Sequence, residues 1–151
     1  MKDNINFENQ TIALTGATGF LGSSFCDVAT KLGARMILID QDVDRLTSLE
    51  QKLSRNNGQK HLFFDINFQD KLDRKYKIES ITALDIQIDV LINNAAYTGQ
   101  TDKTGWNTNF YNQNAESFLS ALEVNLVSAF DFSRSFFPNL KKSKTANILN
   151  V

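Results

Sequence analysis

The chain has 151 residues, of which 42% are hydrophobic and 22% charged, the size and balance of one globular domain with its own core. The formal net charge of −1 leaves no electrostatic footprint for nucleic acid, and no apolar run reaches the roughly 18 residues that span a membrane. The only cysteine, Cys26, excludes an internal disulfide and favours a cytoplasmic location; with the only histidine, His61, it cannot form a four-ligand structural zinc site. The first residues, "MKDNINFENQ", lack the apolar stretch of a signal peptide.

Apolar runs and helical patterns alternate along the chain. Five runs have strand length: "QTIALTG", "ARMILID", "KHLFFD", "IDVLINNAA" and "TANILNV". They are apolar almost throughout, which is typical of strands that are covered on both faces. Strict alternation of strand and helix predicts an α/β fold with a parallel sheet and right-handed crossovers.

Helical periodicity fills the gaps between these runs. The first helix is predicted over 20–32, before Gly33, and Asp42 is a candidate cap for the second. Asn67 is a candidate cap for a third segment that extends to about residue 86. The longest helix is predicted from about Asn114 to Phe137, just before Pro138.

An apolar stripe follows this last helix. We assign to the stripe Phe118, Leu122, Leu126, Ala129, Phe130, Ser133 and Phe137. Phe132 and Phe136 fall off the stripe, and a helix that is apolar on more than one side needs a second neighbour.

Three glycines follow the first predicted strand in "LTGATGFLG": Gly16, Gly19 and Gly22. A strand before the glycines and a helix after them is the context that a dinucleotide fingerprint requires. In that setting the first glycine allows the tight turn, the second lets the backbone approach a pyrophosphate, and the third lets helix and strand pack closely. A plain strand–helix turn is the alternative. Walker-type binding is disfavoured because no Gly-Lys-Ser/Thr follows.

Asp40 stands at the end of the second predicted strand, at about the offset expected for an acid that holds the adenosine ribose. Its carboxylate would accept hydrogen bonds from the ribose hydroxyls and would repel a 2′-phosphate. Positions 17, 18, 41 and 42 carry no Lys or Arg to offset that repulsion. The pattern therefore favours NAD over NADP.

Five motifs occur in order along the whole chain: "TGATGFLG", Asp40, Asp65 after "KHLFF", "LINNAA" and "ALEVNLVSAF". Together they resemble the short-chain dehydrogenase/reductase family. The resemblance implies an open, doubly wound parallel sheet in the strand order 3-2-1-4-5, incomplete at its C-terminal side. It also implies cofactor contacts from Gly16, Thr18, Gly19, Phe20, Leu21, Gly22, Asp40, Asp65, Ile66, Asn93, Ala95 and Ala96.

Within that resemblance, Asp40 holds the ribose, while Asp65 and the backbone of Ile66 meet the adenine. Asn125, in "EVNLVSAF", matches the helix asparagine that supports the family's active-site proton relay. The residues alone allow a plainer role, in which the amide of Asn125 bonds to neighbouring backbone.

The glycine spacing departs from the family's usual TGxxxGxG and matches the extended, sugar-nucleotide-modifying branch, whereas "NNAA" and "EVNLVSAF" follow the usual pattern. This mixture resembles bacterial members that modify surface sugars and flagellin. Two alternatives to a dehydrogenase therefore stay open. One is a sugar-nucleotide epimerase or dehydratase, and the other is a non-catalytic dinucleotide-binding module.

In the resembled family a catalytic serine and a Tyr-x-x-x-Lys follow the fifth strand, and this sequence ends at Val151 before both. The lysine matters because its charge lowers the phenol's pKa from about 10 toward neutrality. The residues four positions after Tyr76, Tyr97 and Tyr111 are not lysines. We therefore expect one cofactor-binding domain, residues 1–151, from an NAD-dependent oxidoreductase of alcohols or carbonyls, without turnover of its own.

The remaining expectations concern single residues and surfaces. Cys26 is predicted to be a small buried hydrophobe, and His61 a surface or edge residue. Trp106, Phe110 and Tyr111 either cover a substrate or form a local loop cluster. The resemblance implies that the helix before Pro138 packs against a second copy of the chain, although further elements of the same fold would give the same pattern.

Overall fold

The computed structural model describes residues 5–54, 60–98 and 108–151. The strands are β1 (Thr11–Thr15), β2 (Arg35–Asp40), β3 (Leu62–Asp65), β4 (Val90–Asn93) and β5 (Asn147–Asn150). The helices are α1 (Phe20–Lys31), α2 (Val43–Ser54), α3 (Lys71–Thr82), α4 (Ala115–Leu122), α5 (Ser128–Ser135) and α6 (Phe137–Leu140). A π-helical turn, Glu123–Val127, joins α4 to α5, and a 3₁₀ turn covers Phe110–Asn112.

The strands form one parallel sheet in the order β3-β2-β1-β4-β5, which confirms the predicted doubly wound fold. Successive residues along each strand point to opposite faces of the sheet, and each face packs into its own hydrophobic core. On one face Ile12, Leu14 and Leu38 pack with residues of α1 and α2, and on the other Ala13 and Ile37 pack with residues of α3, α4 and α5. Coverage of both faces explains why the strands read as continuous apolar runs.

Of the two predicted helix caps, Asp42 is confirmed and Asn67 is wrong; Asn114, predicted only as the approximate start of the longest helix, is also a cap. Asp42 accepts a hydrogen bond from the Arg45 amide (3.0 Å), and Asn114 accepts one from the Ser117 amide (2.8 Å). The third helix, however, is capped by Asp70 and not by Asn67, and it ends at Thr82. Asn67 instead closes a tight turn before that cap, so the start of α3 was predicted one turn early.

The long helix buries a different face from the one predicted. Its buried positions are Ser117, Ala121, Val124, Ser128, Phe132 and Phe136, whereas most of the predicted stripe is exposed. The small side chains among the buried positions let the helix lie close to the sheet, and the π-helical turn adds a residue that shifts the buried face by one position after Val124. The largest apolar side chains of this helix therefore lie on its outer, exposed face, which is the face that the sequence analysis predicted to be buried.

His61 also differs from its prediction. It is 8% exposed, and its Nδ1 accepts a hydrogen bond from the Met36 amide (3.1 Å). Cys26 is buried as predicted, and burial raises the pKa of its thiol to about 11, so this thiol is unreactive near neutral pH.

Candidate functional site

The segments singled out in the sequence converge on one edge of the sheet. The glycine turn follows β1, Asp40 ends β2, Asp65 ends β3 and Asn93 ends β4. Asp40 and Asp65 are direct neighbours in the register of β2 and β3. In an open parallel sheet this carboxyl edge is where ligands bind, so the topology assembles one candidate site from four distant segments.

The glycines of the turn are fixed by close approaches of backbone. Gly16 has φ +65°, and a Cβ there would lie 2.9 Å from the Cα of Ala95. A Cβ on Gly22 would lie 2.0 Å from the carbonyl oxygen of Gly16. Gly19 is less constrained, because its Cβ would meet only that same oxygen at 3.3 Å. Gly16 and Gly22 are thus required by the fold itself.

The first turn of α1 leaves amide groups open at this edge. Gly19 is the N-cap with no side-chain cap, and its own amide donates to the Gly16 carbonyl (3.2 Å). Within the described part of the chain, the amides of Phe20, Leu21 and Gly22 have no acceptor. Three open amides at a helix N-terminus form a cradle for an anion such as a pyrophosphate.

Asp40 is turned toward the glycine loop. The amide and the hydroxyl of Thr18 both donate to Oδ2 of Asp40, each at 2.8 Å, and the Asp42 amide donates to Oδ1 at 3.1 Å. The side chain is only 7% exposed. Asp40 therefore holds the turn in place, and Oδ1 keeps acceptor capacity toward a ligand.

Asp65 is paired rather than free. Its carboxylate lies 2.8 Å from Nζ of Lys77 on α3, and this hydrogen bond lowers the pKa of Asp65 below its ordinary value. Lys77 also lies 3.2 Å from Asp73. The amide of Ile66 donates to the carbonyl of Asp40 (2.8 Å). An adenine base that approached the backbone of Ile66 would therefore find the amide of Ile66 already bonded and only its carbonyl group available.

Two residues that the sequence analysis did not single out tie the glycine turn to the end of β4. The hydroxyl of Thr15 accepts hydrogen bonds from the amides of Asn94 and Ala95, each at 3.0 Å. The side-chain amide of Asn94 donates to the carbonyls of Thr15 and Gly16, both at 3.1 Å. The doubled asparagine in "LINNAA" was the available signal, but which of its two members faces the turn depends on the strand register.

The side chain of Asn93 points away from the glycine turn, toward α5 and β5. It is 6% exposed, and its amide donates to Ser133 on α5 (3.1 Å) and to Asn150 on β5 (2.8 Å). Ala95 and Ala96 follow at the edge, where Ala95 contacts Gly16. The backbone of this segment, more than the Asn93 side chain, borders the space beside the turn.

Asn125 lies in the middle of the π-helical turn. Its Oδ1 accepts a hydrogen bond from the Tyr97 amide at 2.6 Å, which fixes the segment that leaves β4. The Ser128 amide donates to the Glu123 carbonyl five residues back, the bond that defines the π-helical turn. Such turns occur frequently at functional sites. The structure therefore shows the plainer of the two predicted roles, in which the side chain of Asn125 bonds to backbone. This contact lies at the same edge of the sheet as the other candidate residues.

Of the three aromatic residues of the predicted lid, two lie in the described part of the chain. Phe110 and Tyr111 are exposed, with ring centroids 6.1 Å apart in an edge-to-face pair. Trp106 lies outside the described residues. Across the described ranges there is no cluster of three His, Cys, Asp or Glu side chains placed to bind a metal, and no helix that could span a membrane.

The comparisons with known proteins identify the family of the chain. A family profile described as short chain dehydrogenase matches residues 10–151. The chain therefore belongs to the short-chain dehydrogenase family of oxidoreductases. This match supports the dehydrogenase interpretation over the sugar-nucleotide epimerase alternative.

Curated relatives are similar at low identity. A short chain dehydrogenase/reductase of Macrophomina phaseolina is 26% identical over 129 residues, covering 85% of this chain and 70% of the relative. A 3-oxoacyl-[acyl-carrier-protein] reductase of Rickettsia typhi is 24% identical, covering 97% of this chain and 55% of the relative. The L-fucose dehydrogenase of Mus musculus is 23% identical, covering 96% and 49%. The chain spans about half the length of the Rickettsia typhi and Mus musculus relatives.

Solved structures share the fold. An oxidoreductase of E. coli superposes with a TM-score of 0.82 at 17% identity, covering 98% of this chain and 59% of that one. A short chain dehydrogenase from Escherichia coli CFT073, complexed with NADPH, gives a TM-score of 0.81 at 18% identity, covering 96% and 59%. These likenesses establish the architecture around the glycine turn.

Proposed function

We propose that this chain binds NAD at the carboxyl edge of its sheet and forms the cofactor-binding part of an enzyme that transfers hydride to or from a small alcohol or carbonyl compound. The observation that carries the proposal is the set of open amides at Phe20, Leu21 and Gly22, beside the buried carboxylate of Asp40. An anion cradle and a ribose acceptor on adjacent strand ends are the two halves of a dinucleotide site.

The residues present fit a dinucleotide. The pyrophosphate would be held by the amides of the first turn of α1, where a side chain on Gly19 would intrude. The ribose would donate to Oδ1 of Asp40, and the adenine would lie near Asp65 at the end of the neighbouring strand. Ala95 and Ala96 would border the cofactor along the segment that Asn94 and Asn125 hold in place. When bound, the nicotinamide supplies the hydride acceptor or donor, and the protein residues orient it.

NAD rather than NADP is supported by charge. The carboxylate of Asp40 is buried at the point where a 2′-phosphate would lie, and two like charges at short range in a buried setting repel strongly. Lys77, a cation near this edge, is already paired with Asp65 and Asp73. A structural neighbour was solved with NADPH, so the preference needs a direct test.

Isothermal titration of the chain with NAD and NADP gives that test. The unaltered chain is expected to bind NAD more tightly, and Asp40→Asn is expected to shift the ratio of the two dissociation constants toward NADP by about tenfold, since it removes one charge at short range. Thr18→Val is the matched control, because it loosens the same contact without changing charge and should weaken both cofactors alike. Tighter binding of NADP by the unaltered chain would refute the assignment.

Turnover is not expected from these residues alone. None of the three tyrosines is followed four positions later by a lysine, so the family's acid–base pair is missing from the sequence. The chain with NAD and a panel of alcohols should show no increase of NADH absorbance. Steady NADH formation would overturn this part of the proposal. Micromolar NAD affinity without turnover would also suit the alternative of a non-catalytic binding module.

A second copy of the chain is the proposed partner for the outer face of α4 and α5. This outer face consists of Phe118, Leu119, Leu122, Leu126, Phe130 and Phe137, all at least 38% exposed. Large apolar side chains that recur exposed along one helical segment favour association. Sedimentation should show a dimer that Phe130→Glu dissociates and that Tyr76→Glu leaves intact, since both aromatic residues are 63% exposed but Tyr76 lies on α3. A monomer at all concentrations would contradict the proposal.

A cytoplasmic location stays a prediction that rests on cysteine usage.

A further inference from the structure

Arg74 is the most deeply buried charged side chain among the described residues outside the glycine site. It lies on α3 with only 2% of its side chain exposed, and neither the motifs nor the proposed cofactor contacts include it. A buried guanidinium is costly unless all of its donors find acceptors. Its partners therefore indicate what it stabilises.

Those partners come from three separate segments. Nη2 of Arg74 lies 2.6 Å from Oε1 of Glu123, the first residue of the π-helical turn. Nε and Nη2 lie 3.0 Å and 2.9 Å from Oδ2 of Asp131 on α5. Nη1 donates to the carbonyl of Phe68, in the loop before α3. The planar fork of arginine satisfies three acceptors at once, a geometry that a lysine ammonium does not reproduce.

One of the two carboxylates belongs to the first residue of the π-helical turn that contains Asn125, and the other lies on the helix that follows the turn. The carbonyl of Glu123 accepts the bond from the Ser128 amide that gives the turn its width, while the carboxylate of the same residue is held by Arg74. Asn125 follows two residues later and accepts the Tyr97 amide at 2.6 Å. The contacts of Glu123 thus fix both the hydrogen-bond register of the π-helical turn and the position of the Asn125 side chain within it.

We propose that Arg74 is a positioning residue: by holding Glu123 at the start of the π-helical turn and Asp131 on α5 after it, Arg74 keeps Asn125 on the Tyr97 amide and so holds the segment after β4 in place beside the glycine turn. Its consequence for dinucleotide binding rests on the proposed function, whereas the contact between Asn125 and Tyr97 does not. Because Lys77 on α3 pairs with Asp65, the helix that contains Arg74 contacts the end of β3 as well and is linked to the segment after β4 through Arg74.

Amide hydrogen exchange in the whole chain, measured by NMR without cofactor, tests the contact directly. Arg74→Met is expected to accelerate exchange of the Tyr97 amide by about tenfold, the factor typical of one lost hydrogen bond. Arg74→Lys should not restore slow exchange, since one point charge cannot bridge both carboxylates. Arg134→Met, an exposed arginine on α5, is the matched control and should leave Tyr97 unchanged.

A double-mutant comparison separates positioning from general stability. Asn125→Ala removes the acceptor itself, so Arg74→Met added to it should accelerate Tyr97 exchange no further. Additive effects, or an acceleration at Tyr97 no larger than that of the Leu14 amide in the core, would overturn the proposal. Should Arg74→Met fail to fold, Glu123→Gln gives the same test, because it keeps the shape of the acceptor and removes its charge.

Titration with NAD then tests the consequence. Weaker NAD binding by Arg74→Met, with unchanged binding by Arg134→Met, supports the link to the cofactor site. Faster Tyr97 exchange with unaltered NAD affinity would confine Arg74 to positioning Asn125 and overturn its link to the cofactor. A chain that binds no NAD at all refutes the proposed function and leaves the exchange result standing.

Discussion

Thr18 donates two hydrogen bonds to a single oxygen of Asp40, one from its amide and one from its hydroxyl, each at 2.8 Å. The acid that ends β2 thereby fixes the middle of the turn that ends β1. One carboxylate both orders the anion cradle and offers its second oxygen to a ribose, so the two halves of the candidate site are coupled before any ligand arrives.

The first prediction concerns that coupling. Thr18→Val removes the hydroxyl donor and keeps the amide donor, so it should lower the stability of the chain by about 1.5 to 3 kcal/mol, the usual contribution of one hydrogen bond to a charged acceptor. Urea unfolding followed by circular dichroism measures the change. Thr47→Val serves as the control, because its hydroxyl bonds only to the exposed backbone of its own helix. Equal effects of the two substitutions would contradict a special role for the Thr18 contact.

A second prediction separates the glycine required by the fold from the glycine required by the ligand. Gly22→Ala places a Cβ 2.0 Å from the Gly16 carbonyl oxygen and should cost about 3 kcal/mol or more, since backbone must move. Gly19→Ala meets that oxygen at 3.3 Å and has an ordinary φ of −68°, so its fold should persist. Thermal unfolding of both variants checks the contrast.

The same Gly19→Ala variant then reports on the ligand. Under the proposed function the backbone at Gly19 approaches the pyrophosphate, so an added methyl group should lower NAD affinity although stability does not fall. Titration calorimetry measures it. Undiminished NAD binding by a folded Gly19→Ala chain would place the pyrophosphate elsewhere.

A third prediction concerns acid sensitivity. Burial lowers the pKa of His61 below its ordinary value of about 6.5, and the nearby charge of Arg35 lowers it further. The folded chain thus keeps this imidazole neutral while the unfolded chain takes up a proton, so stability is full above about pH 6.5 and falls as the pH drops below it. Among the described residues Nε2 of His61 has no partner, and protonation of Nδ1 would break its bond to the Met36 amide.

His61→Asn tests this assignment, since its side-chain oxygen can take the place of Nδ1 as an acceptor but does not titrate. Urea midpoints measured between pH 7 and pH 5 should fall for the unaltered chain and stay nearly level for the variant. His61 is the only histidine in the sequence, so few other groups change charge in this window. Parallel pH profiles for both chains would show that the buried imidazole is not responsible.

A fourth prediction concerns the adenine end of the site. The hydrogen bond from Lys77 lowers the pKa of Asp65, so Lys77→Met should raise that pKa toward the ordinary aspartate value. Carbonyl NMR titration of Asp65 gives the result, with Lys75→Met on the same helix as the control. A depressed pKa contributes stability that is present above about pH 4 and lost as the pH falls through the folded value, so the variant should show less acid sensitivity. An unmoved Asp65 pKa would mean that Lys77 is not its main partner.

The sequence by itself determined the parallel sheet, its strand ends and the glycine turn, because strands buried on both faces read as apolar runs and a strand–turn–helix needs glycine where backbones meet. Asp40 was singled out by its place at the end of the second predicted strand, and Asn125 by the resemblance of its motif to the family's. The sequence did not reveal the outer face of the long helix. Hydrophobicity marks the larger side chains, whereas close packing on the sheet selects the small ones and the π-helical turn changes the phase.

Only the tertiary structure decided the partnerships. His61 is buried because β2 supplies an amide for its ring, and Arg74 is buried because two carboxylates from distant segments converge on it. Asn94 rather than Asn93 faces the glycine turn because of the strand register. Such contacts join residues far apart in the chain, and local periodicity has no information about which polar groups will meet. The turn that could hold a cofactor was therefore readable from the sequence, whereas the side chains that keep it in place were not.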